Sequence, residues 1–216
     1  MMSADAFLAE LDAQNRAALD RIGVAAAREA RSDVTVAALL RVALKNELEA
    51  TECAAAWIGT TPEIDVKLAF ARQAGDEAKH YRLIERRLVE LGAEVGAFEP
   101  GPRSPMLTYL ASLETTVERV AAGQFTREAL AIVRNEEFIR FCVDRTDEAT
   151  AALYRDVIQP DEQHHHDLGR RLLGKLAVTE GAQDAARRAA HRTLELGEEL
   201  QEIARMKGGI SRAPGC

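Results

Sequence analysis

Apolar positions recur at three- and four-residue spacings along most of the chain, and no alternating β-branched runs appear. This pattern predicts an all-α protein of six helical segments. The first runs from about Ala4 to Arg28. The second starts near Asp33 and ends near Ile58, with Gly59 in a helix-stop position. Thr61 reads as an N-cap with Pro62 at the first position of a third helix, which ends at about Leu91 before Gly92. A linker follows, marked by Gly92, Gly96, Pro100, Gly101, Pro102 and Pro105. Ser104 and Pro105 restart a fourth helix that continues to about Val143, with a candidate break at Gly123. Thr146 or Asp147 caps a fifth, reaching about Leu173. The last covers about Thr179 to Met206, and the tail from Gly208 to Cys216 is expected to fray.

Short turn, long crossover, short turn is the connectivity of a four-helix bundle with one long crossover. The bundle is expected over residues 33–174, with an N-terminal helical extension (1–32) and a C-terminal helix and tail (175–216). The halves also repeat. A shift of 85 residues lays Glu52–Leu88 onto Glu137–Leu173 and matches Asp76 with Asp161, Glu77 with Glu162 and His80 with His165.

Those matched positions carry the chemistry. Asp76-Glu77-Ala78-Lys79-His80 and Asp161-Glu162-Gln163-His164-His165 each contain Glu-x-x-His, and i and i+3 share a helix face. Glu77 shares a stripe with Phe70, Ala74, Tyr81, Ile84 and Leu88; Glu162 shares one with Ile158, His165, Gly169 and Leu172. Both carboxylates thus lie on faces the bundle should bury, and a lone buried carboxylate is costly. A metal pair removes that cost, since carboxylate oxygen and imidazole nitrogen suit iron and manganese.

Each half needs one more Glu at the height of its motif. With the first turn centred near Thr60, Glu77 lies 17 residues beyond and Glu47 13 before, a mismatch of ~6 Å at ~1.5 Å per residue. Glu49 and Glu52 are its rivals. With the second turn near Arg145, Glu162 lies 17 beyond and Glu128 17 before; Glu136 and Glu137 compete. The repeat favours Glu52 and Glu137, whereas height favours Glu47 and Glu128. Height is preferred, because a ligand must reach the metal. His164 and His166 face other directions and read as solvated or locally hydrogen-bonded. Pro160 either opens space beside the second motif or marks a helix boundary.

Composition adds limits. The net charge of -7 argues against a basic nucleic-acid stripe. Cys53, Cys142 and Cys216 are odd in number and widely spaced, which suits reduced thiols in a cytoplasm better than disulfides or a zinc site. No signal peptide or membrane span is visible, and neither is a dinucleotide-binding Gly-x-Gly-x-x-Gly.

From Asp33 to Leu173 the chain resembles the ferritin-like di-iron carboxylate superfamily. The resemblance implies two irons, with manganese as the alternative, held by Glu47, Glu77 and His80 and by Glu128, Glu162 and His165. It implies an oxidoreductase that activates O₂ or peroxide and draws on an external electron donor. Without Cys-x-x-Cys pairs, the plan looks more like the small stand-alone oxygenases, tRNA-modifying hydroxylases among them, than like rubrerythrins. A tRNA or small-molecule substrate and a homodimer fit that reading. The alternatives are an iron-storage or peroxide-scavenging protein and a metal-free helical association module.

Overall fold

The computed structural model describes residues 2–28, 34–95, 101–208 and 214–215, and every regular element among them is helical. The elements are α1 (Ala4–Arg28), α2 (Val36–Thr60), α3 (Ile64–Glu90), α4 (Pro105–Ala111), α5 (Thr116–Arg119), α6 (Glu128–Asp144), α7 (Glu148–Leu153), α8 (Gln159–Leu176) and α9 (Glu180–Gly208). A π-helical segment, Val120–Arg127, joins α5 to α6, and a second, Tyr154–Ile158, joins α7 to α8. No helix among the described residues is long and apolar enough to cross a membrane.

Helix ends follow local chemistry, with several departures from expectation. The residue before a proline is pushed out of the helical region. Thr61 is therefore extended (φ -94°, ψ 122°) and closes α2 as its C-cap, donating its hydroxyl to the Trp57 carbonyl at 2.8 Å. It does not cap α3, whose N-cap is Glu63, and Gly59 lies inside α2. Ser104 caps α4 as expected, accepting from the Leu107 amide. The fourth segment breaks at residues 112–115, not at Gly123. There Thr115 and Glu118 form a reciprocal capping box that starts a new helix. Asp147, not Thr146, caps α7. The expected start at Asp33 lies outside the described residues; Thr35 caps α2 at Val36.

Pro160 is the second residue of α8 and so marks a boundary, the one where the π segment Tyr154–Ile158 passes into regular α-helix. It has no N–H to donate and its ring crowds the preceding turn. The turn ahead of it widens, and the Gln159 amide bonds five residues back, to Tyr154. In the same way the Glu128 amide reaches back five residues to Gly123. Two glycines admit the first π segment to its neighbours. A Cβ on Gly123 would lie 2.8 Å from the Trp57 ring, and one on Gly169 2.8 Å from the Gln124 carbonyl carbon.

Two apolar clusters form the core. One gathers Trp57, Phe70, Phe125 and Leu172 with residues of α1 and α9, among them Phe7, Leu11, Ala186 and Ala190. The other gathers Leu40, Leu44, Ile84, Leu88, Phe138, Tyr154 and Ile158. The long flanking helices thus spend apolar faces inside the chain, where α1 packs on α6, α8 and α9, and α9 on the first π segment. Of the tail expected to fray, residues 209–213 and 216 lie outside the described residues; Pro214 and Gly215 are buried, against that expectation. The Pro214 carbonyl accepts from Asn46 Nδ2, and the Gly215 amide donates to Asn135 Oδ1.

Candidate metal centre

Along each of four helices the sequence passes from one apolar cluster to the other, and a glutamate sits at the crossing. On α2 it is Glu47, between Leu44 and Cys53; on α3 it is Glu77, between Phe70 and Ile84. Glu128 lies between Phe125 and Phe138, and Glu162 between Ile158 and Leu172. Four carboxylates therefore share one buried layer, each at most 3% exposed. His80 and His165, one turn on from Glu77 and Glu162, complete it at 0% and 1%.

Ligand atoms of Glu47, Glu77, His80 and Glu162 all lie within 4.8 Å of one another, and so do those of Glu77, Glu128, Glu162 and His165. Each group could hold a metal ion, and the two share Glu77 and Glu162. The structure thus brings together all six residues singled out from the sequence. Their rivals lie elsewhere. Glu49 is buried but accepts the amide and hydroxyl of Ser104, anchoring the start of α4. Glu52 is exposed. Glu137 pairs with Arg140, and Glu136 is exposed beside the same arginine.

The two imidazoles are oriented alike. His80 Nε2 donates to Asp161 Oδ2 at 3.0 Å, and His165 Nε2 donates to Asp76 Oδ2 at 3.1 Å. Each motif's aspartate therefore holds the other motif's histidine. Each Nε2 therefore holds a proton, and both Nδ1 atoms turn into the carboxylate layer. His80 Nδ1 lies 3.5 Å from both Glu47 and Glu77, and His165 Nδ1 3.6 Å from Glu162. Both Nδ1 atoms and Glu162 Oε2 are buried without a hydrogen-bond partner. Buried polar atoms are nearly always satisfied, so three orphans within these two ligand groups fit bound cations.

On the far side, Gln73 Nε2 donates to Glu128 Oε1 at 2.6 Å, and Arg127 Nη1 lies 3.3 Å from the same oxygen and 4.0 Å from Glu77. The sequence reading missed both. Gln73 was visible as a polar residue one turn before Glu77 on an apolar stripe, whereas Arg127 carries no such mark. The role of the aspartates was also missed, since it depends on how α3 and α8 pair. His166 donates through Nδ1 to the Phe125 carbonyl in the π segment, at 2.7 Å, and stacks on the Phe125 ring.

Without a cation this layer cannot hold four negative charges. Burial, with the charge of Glu77, pushes Glu47 up to about 7 and Glu162 up to about 8. Burial and the charge of Glu162 drive Glu128 well above the ordinary range. Burial works the same way on Glu77, but His80 and Arg127 outweigh it and hold that carboxyl below its usual value. Burial would lower His80; the facing Glu47 and Glu77 carboxylates overcome it and push the imidazole up to about 12. The metal-free layer therefore stores protons that a metal would displace. The thiols are different: burial pushes Cys53 and Cys142 up to about 12, and neither belongs to the layer.

No curated protein and no solved structure matches the chain. One family model does, over residues 13–214, and the chain belongs to that family, described as "Protein of unknown function (DUF455)".

Proposed function

We propose that the layer holds two irons and that the protein is a ferritin-like di-iron oxidoreductase, acting on an unidentified substrate with an external electron donor. The observation that carries this reading is the pair of overlapping ligand groups, each with its own buried, unpartnered imidazole Nδ1. His80 and Glu47 would hold one ion, and His165 and Glu128 the other. Glu77 and Glu162, common to both groups, would bridge. Four carboxylates carry the charge that two divalent cations neutralise, and mixed carboxylate and imidazole donors suit iron or manganese. A carboxylate-bound iron pair supplies redox chemistry toward O₂ or peroxide.

The chain's own part is to prepare the ligands. Asp161 and Asp76 keep a proton on each Nε2, so that metal takes Nδ1; at His80 it displaces the second proton that the ring holds in the metal-free state. Gln73 donates to one Glu128 oxygen and so orients that carboxylate. The apolar clusters on either side exclude water from the layer. Glu47, Glu128 and Glu162 hold protons in the metal-free state and release them on loading.

Metal analysis of protein grown in iron-supplemented medium tests this. The expected content is about two irons per chain, lost in a Glu77→Ala/Glu162→Ala double variant. Metal at background in the unaltered protein overturns the reading.

A further inference from the structure

Outside the ligand layer, the two aspartates that orient the imidazoles share a contact to which the proposed function gives no part. Asp76 and Asp161, each 19% exposed, form the outer wall of the site, and a single lysine spans them. Lys79 Nζ lies 2.5 Å from Asp161 Oδ2 and 3.7 Å from Asp76 Oδ1. The Asp161 oxygen it contacts is the one that accepts from His80 Nε2. At Asp76 the arrangement is looser: His165 and Arg72 use Oδ2, and Lys79 faces the other oxygen. Among the described residues no second lysine balances it. The position matching Lys79 under the 85-residue repeat is His164, and no ion pair joins it to either aspartate.

We propose that Lys79 is a positioning residue that sets the hydrogen-bond strength of both buried imidazoles at once, through Asp161 and Asp76. A carboxylate oxygen that already accepts from an ammonium is a poorer acceptor for a second donor. Lys79 thus weakens the pull of Asp161 on the His80 ring proton and, less strongly, that of Asp76 on the His165 proton. A ring whose Nε2–H is held less tightly is a weaker donor at Nδ1. One half-exposed cation therefore tunes two ligands on two helices, and it does so from a position that solvent ions can reach.

The consequence for bound metal rests on the proposed di-iron reading; the consequence for the imidazoles does not. The test compares Lys79→Met and Lys79→Arg with the unaltered protein. In the metal-free protein, the imidazole Nε2–H proton resonances of His80 and His165 are followed by NMR. Lys79→Met is expected to move both downfield, His80 further than His165, and Lys79→Arg to restore them. Raising the salt concentration should narrow the difference between the unaltered protein and Lys79→Met. In protein loaded with Mn(II), Lys79→Met is expected to bind metal several-fold more tightly.

Ring-proton resonances that stay in place in Lys79→Met, with only the melting temperature lowered, would reduce Lys79 to a structural ion pair and overturn the proposal. A shift confined to one histidine would also overturn it, because the claim is that one lysine acts on both. Should the protein take up no metal at all, the di-iron reading fails, and the NMR comparison still decides the role of Lys79.

Discussion

The two halves of the ligand layer reach the same height by different helices. In the first half α2 and α3 are regular. Glu47 lies 13 residues before the last residue of α2, and Glu77 lies 13 after the first residue of α3. In the second half both arms contain a π turn, one ending at Arg127 just before Glu128, the other at Ile158 shortly before Glu162. The Glu-x-x-His motifs are 85 residues apart, but Glu47 and Glu128 are 81 apart. The halves are thus alike at the motif and out of step by about one helical turn at the single glutamate. The layer is thus fixed by where carboxylates meet between two apolar clusters, not by keeping a sequence register. π turns are frequent at functional sites, and here they are confined to one half.

The aspartate–histidine hydrogen bonds, in contrast, are paired across the halves: Asp161 holds His80 and Asp76 holds His165. The largest expected effect follows from that pairing. Asp76→Asn and Asp161→Asn should each weaken metal binding by about 10–100-fold, and by similar factors, as measured by competition with a chelator. Very unequal losses would show that the crossed hydrogen bonds are not equivalent.

Gly169→Ala should disturb the second half alone. Its Cβ would come within 2.8 Å of the Gln124 backbone, so the π segment must shift, at about 1–3 kcal/mol by denaturant unfolding. The matching position in the first half is Ile84, a large buried side chain. An unchanged midpoint for Gly169→Ala would mean that the π segment moves freely.

How much of this was legible in the sequence follows the range of the interactions. Glu77 with His80 and Glu162 with His165 were legible because i and i+3 share a face whatever the tertiary structure. Glu47 and Glu128 were legible because turn position sets height. The residual mismatch at Glu47 came from centring the turn on Thr60; the loop is residues 61–63, and the heights then agree. The π turns were hidden, since one widened turn leaves the apolar pattern almost intact. Thr61 was misread because Thr-Pro suits a helix start, yet the proline held Thr61 extended and its hydroxyl closed the preceding helix. The buried tail was invisible because its partners, Asn46 and Asn135, lie about 80 or more residues away.

A pH titration sharpens the contrast between loaded and empty layers. In the metal-free protein Glu47 and Glu162 sit above the ordinary value of 4.5, at about 7 and about 8. The folded state therefore binds more protons than the unfolded chain above pH 4.5, and stability falls as pH rises toward 8. His80, raised to about 12 from 6.5, adds to the same trend above pH 6.5. Glu77 has the opposite sign, contributing stability above 4.5 that is lost on acidification. Thermal melts from pH 5 to 8 should thus show the metal-free protein weakening and the loaded protein gaining on it. A gap between the two that shrinks as pH rises contradicts the proton-storage account.

The smallest effect belongs to a glutamate outside the layer. Glu49→Gln should leave metal content unchanged and cost only about 1 kcal/mol through its bonds to Ser104. Loss of metal in this variant would place Glu49, rather than Glu47, in the site.

The most direct test of the central claim is an anomalous-difference map at the iron edge from crystals of the iron-loaded protein. Two peaks are expected in the layer, both between Glu77 and Glu162, one against His80 Nδ1 and the other against His165 Nδ1. No peak there, or iron bound only at the outer aspartates, would contradict that claim.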